Sequence, residues 1–141
     1  MATNAQFAAT PIVEVTQIPN TANTARDGSG TITQVCAGPT GPVGSGVGKR
    51  INRAVVHAIT STSAGMIRFF VNDQPSANKR LYLEKTVAAV TPSATTSAFR
   101  MEVPELAGLI LQGTSGNTGT NLYASTEIGN TFNIIVESGL L

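Results

Sequence analysis

Cysteine is nearly absent. Cys36 is the only one in 141 residues, so no disulfide forms within the chain and no cysteine-based zinc site can be assembled. There is no tryptophan, only one histidine, and charged residues make up 12%, about half the usual share. With a formal net charge of +1 the chain has neither a basic footprint for nucleic acid nor an acidic tail. Apolar runs are short. Those at 87–90 and 109–111 fall far below the roughly 20 residues that span a bilayer, so no membrane partner is expected. The opening MATNAQFAAT lacks the positive charge and apolar stretch of a secretory signal, and a soluble product made in a cytoplasm is expected.

What is present is enough for one domain. Hydrophobic residues reach 41%, and a chain of this length buries roughly two thirds of its unfolded surface. Its polar surface must be built from Ser, Thr, Asn, Gln and Gly, a composition suited to extensive contact with other protein.

The dominant period is two, the signature of strands. Phe99, Met101 and Val103 alternate with Arg100 and Glu102, and Phe132, Ile134 and Val136 alternate with Thr131, Asn133 and Glu137, with Ile135 intruding on the wet side. Residues 66–71 are aromatic and β-branched, with Ile67, Phe69 and Val71 as the clearer apolar set. Leu81 and Leu83 alternate with Tyr82 and Glu84, residues 51–60 read as a strand covered on both sides, and 11–18 and 31–37 as weaker strands. Turn residues punctuate these runs at Asp27-Gly28, Asn72-Asp73, Thr91-Pro92, 113–119 and Gly129-Asn130. Residues 103–108 allow one helical turn. The expected fold is all-β, an antiparallel β-sandwich or jelly roll of about eight strands.

The first 48 residues differ from the rest. Residues 19–29 read as an open loop and 38–48 as a Gly/Pro-rich joint. Residues 1–48 are therefore expected to form an extended arm with two short strands, and 49–141 the sandwich body. Phe7, Ile12, Val13, Val15 and Ile18 have too few partners within such an arm, so they pack on the body or on a neighbouring subunit. An ordinary edge hairpin of the same sandwich is the alternative. Arg50 and Arg53 are expected at an interface, where the planar guanidinium makes several hydrogen bonds, and Arg100 on a wet strand face.

Catalytic motifs fail on inspection. GPTGPVGSGVGKR at 38–50 ends in the Gly-Lys of a phosphate loop, but Val43 stands where the first glycine belongs, Arg50 replaces the hydroxyl that reaches magnesium, and a β-type run follows instead of a helix. Three Gly-led triplets are too few for collagen, and Val47 breaks their register. His57 sits mid-strand, more a structural histidine than a base, and the eight acids are too scattered for a metal site. Cys36 reads as a partly buried filler. No catalytic residue, metal ligand or cofactor is expected, and the chain is not expected to be an enzyme.

From Arg50 onward three stretches, RINRAVVHAITSTSAGMIRFFVND, RLYLEKTVAAVTPSATTSAFRMEV and LYASTEIGNTFNIIVESG, give the chain its resemblance to small virion proteins of tailed bacteriophages. It resides in strand order and turn type and covers about two thirds of the chain. It implies a small β-sandwich or jelly roll on the capsid surface of the virion, a decoration (cement) protein that binds the major capsid protein, and a homo-oligomer, a trimer before a dimer. It brings no catalytic residues. The alternative is a receptor- or glycan-binding module of a head or tail fibre, suggested by the Gly/Asn/Thr-rich loop at 113–121.

Overall fold

Nine strands follow one another in the computed structural model, which describes residues 10–39, 48–72, 78–113 and 119–141. They are β1 (Thr10–Ile18), β2 (Thr33–Cys36), β3 (Gly48–Ala58), β4 (Gly65–Asn72), β5 (Lys79–Val87), β6 (Arg100–Glu102), β7 (Ile110–Gln112), β8 (Leu122–Thr126) and β9 (Phe132–Leu140). One sheet runs β1-β9-β3-β6, with β7 also paired to β3, and the other runs β2-β8-β4-β5. Every strand pairing is antiparallel, and the two sheets make an all-β sandwich. The turn expected at 103–108 is a 3-10 helix, Pro104–Leu106.

The alternating patterns become the core. Phe132, Ile134 and Val136 of β9 and Ile51, Ala54, Val56 and Ala58 of β3 face Ile67 and Phe69 of β4 and Leu122 and Ala124 of β8, all buried. Each large side chain so buried contributes about 1.5–3 kcal/mol. Phe99 meets Phe132 edge to face, with centroids 6.4 Å apart. Among the described strands β7 was not visible in the sequence, because three residues are too few for a period; it exists because β3 has ladder groups at Gly48–Arg50 to satisfy.

The division into an arm and a body does not describe residues 10–36. β1 is the outermost strand of one sheet and β2 of the other. Ile18, Val35 and Cys36 are core residues, none more than 1% exposed. Because β1 and β2 lie in different sheets, they are not a hairpin either. Nor is the loop expected at 19–29 an open one; with residues 30–32 it is tied down. It folds over the outer face of the β8-β4-β5 layer, where the Asn23 amide donates to Thr126 O at 2.8 Å and Arg26 pairs with Glu84 at 2.6 Å. Gly28 brings its backbone so close to β5 that a Cβ there would stand 2.1 Å from Lys79 O, and its φ of +89° suits glycine alone.

Beneath that segment lies Arg68, whose side chain is wholly buried. Its Nε donates to Glu84 at 2.7 Å, its Nη1 to Asn23 O at 3.2 Å, and its Nη2 stands 3.5 Å from Glu127. Phe70, on the same side of β4, is equally buried and lies outside the central core. Arg68 is dry because the segment through Asn23 lies over it.

Lys49 has an equally structural fate. It lies between the sheets with 5% of its side chain exposed, pairs with Glu14 of β1, and donates to Ala37 O at 2.9 Å. The lysine of the Gly-Lys ending is thus half of an ion pair on the inner face of the first sheet, joining β3 to β1 across β9. Cys36 sits beside it, its Sγ 3.8 Å from Glu14. Burial, reinforced by the Glu14 charge, pushes the thiol up to about 11, which leaves it almost no reactive thiolate at neutral pH.

Candidate interaction surface

Residues 19–32 cover part of the second sheet, whereas among the described residues no segment is seen to cross the outer face of β1 and β9 in the first. Register and alternation place Val13, Val15 and Gln17 of β1 beside Glu137, Ile135 and Asn133 of β9, and these beside Arg53, Val55 and His57 of β3. Arg100 and Glu102 of β6 adjoin His57 and Val55. Higher up, Arg50 pairs across to Ile110 of β7. Ile110 and Leu141 converge over Gly48, where a Cβ would lie 3.3 Å from each. A side chain there would have to push the ends of both aside.

The centre of this face is sealed by ions. Arg53 forks onto Glu102, with its Nε 3.1 and 3.2 Å from the two oxygens, and reaches Glu137 at 3.7 Å. Arg100 lies 3.6 Å from the same Glu102. The Arg53 hydrogen bonds, then its charge, hold the Glu102 carboxyl below its ordinary value. This roof explains why Val55 is only 2% exposed although it points outward. His57 is half-buried beside it, with Nδ1 2.8 Å from Ala58 O.

At the margins the roof ends. Val13 is 64% exposed, Val15 60% and Ile110 49%. Covering any one of them is worth roughly 1–2 kcal/mol at about 25 cal/mol per Å².

Of the residues expected at an interface, Val13, Val15, Arg50 and Arg53 share this face. Ile12 is half-buried on the inner side of β1, Ile18 belongs to the core, and Phe7 lies outside the described residues. Ile110 and Leu141 were missed as members of the face, since only the β3-β7 register brings Ile110 beside Arg50 and only the end of the β3-β9 pairing brings Leu141 to Gly48. Glu14 was missed for a different reason: a glutamate between two valines looks like the wet residue of a dry pair, yet it points inward. Ile18 fixes the parity of the strand, and Lys49 supplies the countercharge.

A second, polar feature is a cleft of about 400 Å³ lined by Asp27, Gly28, Ser29, Asn78, Lys79 and Arg80. Its charges are engaged within the chain. Asp27 accepts from the Ser29 hydroxyl and amide, which hold its carboxyl low, and the Lys79 amine lies 4.9 Å from the Tyr123 ring centre. Among the described residues no group of three or more His, Cys, Asp and Glu side chains is placed to hold a metal ion. Comparison with protein-family models, curated proteins and solved structures finds no match to this chain.

Proposed function

We propose that the chain is a structural protein of a bacteriophage particle, a decoration protein that docks on the major capsid protein and stabilises the mature head. The observation that carries this reading is the outer face of the first sheet, on which exposed Val13, Val15 and Ile110 gather with Arg50 and Arg53, while residues 19–32 cover part of the outer face of the second sheet. A flat face of mixed Arg and aliphatic character suits protein rather than a small ligand. Modest contacts suffice, because many copies on a lattice gain from repetition. The three stretches resembling phage virion proteins supply the identity of the partner.

The purified chain is expected to bind isolated mature heads and to raise the temperature at which they come apart. Ile110→Asp and Arg50→Glu, both on exposed positions, are expected to weaken binding at least tenfold while leaving the melting of the free chain within a few degrees. Heads that neither bind the chain nor gain stability would sink the proposal. The runner-up, a glycan- or receptor-binding module, draws on the polar cleft at Lys79 and Arg80; the loop that first suggested it falls largely at 114–118, outside the described residues.

A further inference from the structure

The outer edge of β1 has no strand beside it among the described residues. Sheets usually protect such edges by shortness or by charge. The other edges of this sandwich follow that rule: β2 has four residues, β6 and β7 three each, and β5 carries Lys79, Arg80 and Lys85. β1 runs for nine residues, and its one charge, Glu14, is turned inward to Lys49. It is the long edge without a guard.

The hydrogen-bonding parity of this edge can be worked out. Pro11 lies opposite Gly139 in the β1-β9 register, and proline has no N–H to give. Its pair is therefore a non-hydrogen-bonded one, so Ile12, Glu14 and Thr16 make the bonds to β9. The far side of the sheet agrees. Ala58 donates to Phe99 O and Ala54 accepts from Val103 N, so these β3 residues, opposite Phe132 and Val136, turn away from β9. Val13, Val15 and Gln17 consequently aim both N–H and C=O at the open side.

We infer that this edge pairs antiparallel with the same edge of a second copy, about a two-fold axis at Val15. In that register Val13 lies opposite the partner's Gln17 and Val15 opposite the partner's Val15, each such pair exchanging two hydrogen bonds. The outward row Val15–Ile135–Val55 then runs unbroken across the axis. On the inner face Glu14 comes opposite the partner's Thr16. Centring the pair on Glu14 instead would set two carboxylates against each other, which is unfavourable. An isologous contact closes at two copies, so the assembly is a dimer, not the trimer implied by the resemblance. The dimer does not depend on the capsid reading. It would, however, join two docking faces into one continuous surface.

Sedimentation velocity of the intact chain over a wide concentration range tests this. The expected result is a shift from monomer to twice the monomer mass. Val15→Pro, which removes an outward N–H while leaving the β1-β9 bonds in place, and Val15→Lys, which sets two ammonium groups across the axis, are each expected to weaken association at least tenfold with the thermal melt of the monomer nearly unchanged. A cysteine scan then reads the register. Hydrogen-bonded partners stand about 5.5 Å apart at Cα, within disulfide reach, and Cys36 is buried. Val15→Cys alone is expected to cross-link to a dimer on oxidation; Val13→Cys is expected to do so only when mixed with Gln17→Cys. A monomer at every concentration, a trimer, or self-linking of Val13→Cys as efficient as that of Val15→Cys would overturn the inference.

Discussion

Removing residues 1–20 is expected to abolish the cooperative fold, not to release an intact body. The deletion takes away the whole of β1, its nine-residue pairing with β9, and the Ile18 side chain from the core. It also removes Glu14, leaving the buried Lys49 ammonium with Ala37 O as its remaining contact. A buried charge stripped of its partner costs about 3–5 kcal/mol, and loss of a core isoleucine side chain about 2–5 kcal/mol. Together these are comparable to the whole stability of a domain, about 5–15 kcal/mol. Circular dichroism melts of the shortened chain should show no sharp transition. A shortened chain that melts cooperatively near the parent's temperature would restore the arm as a separate unit and contradict the role of β1 as an integral strand of the sandwich.

Arg68→Ala should be nearly as severe, at about 3–5 kcal/mol. The substitution leaves a large cavity under residues 19–32 and deprives the Asn23 carbonyl of its donor. Glu84 keeps Arg26, and both Glu84 and Glu127 reach solvent, so the carboxylates themselves are not stranded. Arg68→Met, which fills much of the space, should therefore cost far less stability while still loosening the covering segment, read as faster tryptic cleavage after Arg26. The pair of variants separates packing from clamping. Acid carries a further signature. Hydrogen bonds from Arg68, then from Arg26, hold the Glu84 carboxyl below its ordinary value of 4.5. A carboxyl with a lowered folded value lends stability that is present above 4.5 and is lost as pH falls through that lowered value. Arg68→Met should thus lose less stability than the parent on acidification below about pH 4.5. A loss under about 1 kcal/mol for Arg68→Ala at neutral pH would show that the clamp is not structural.

Much of the sandwich was legible because its best strands alternate cleanly. The sets Phe132–Ile134–Val136 and Phe99–Met101–Val103 each declare one face, and the structure turns those faces inward. What the period cannot declare is cover. Arg68 and Phe70 occupy outward positions of β4, yet both are buried, and for Arg68 it is the path of 19–32, a segment with no period of its own, that supplies cover. The Glu14–Lys49 pair joins residues 35 apart in sequence, and no local pattern links them. Of the candidate surface, Val13, Val15, Arg50 and Arg53 were visible by residue type. That they share one face was not, because the sharing depends on β9 lying between β1 and β3, with a bulge in β3 between Ile51 and Arg53.

The proposed role, a structural protein of a phage head, is tested most directly by counting copies. Quantitative mass spectrometry of purified particles carrying this chain is predicted to find it in stoichiometry with the major capsid protein, on the order of hundreds per particle. A handful of copies, in proportion with fibre proteins, would contradict the decoration role and favour a receptor- or glycan-binding tip. Absence from purified particles would remove the virion reading altogether.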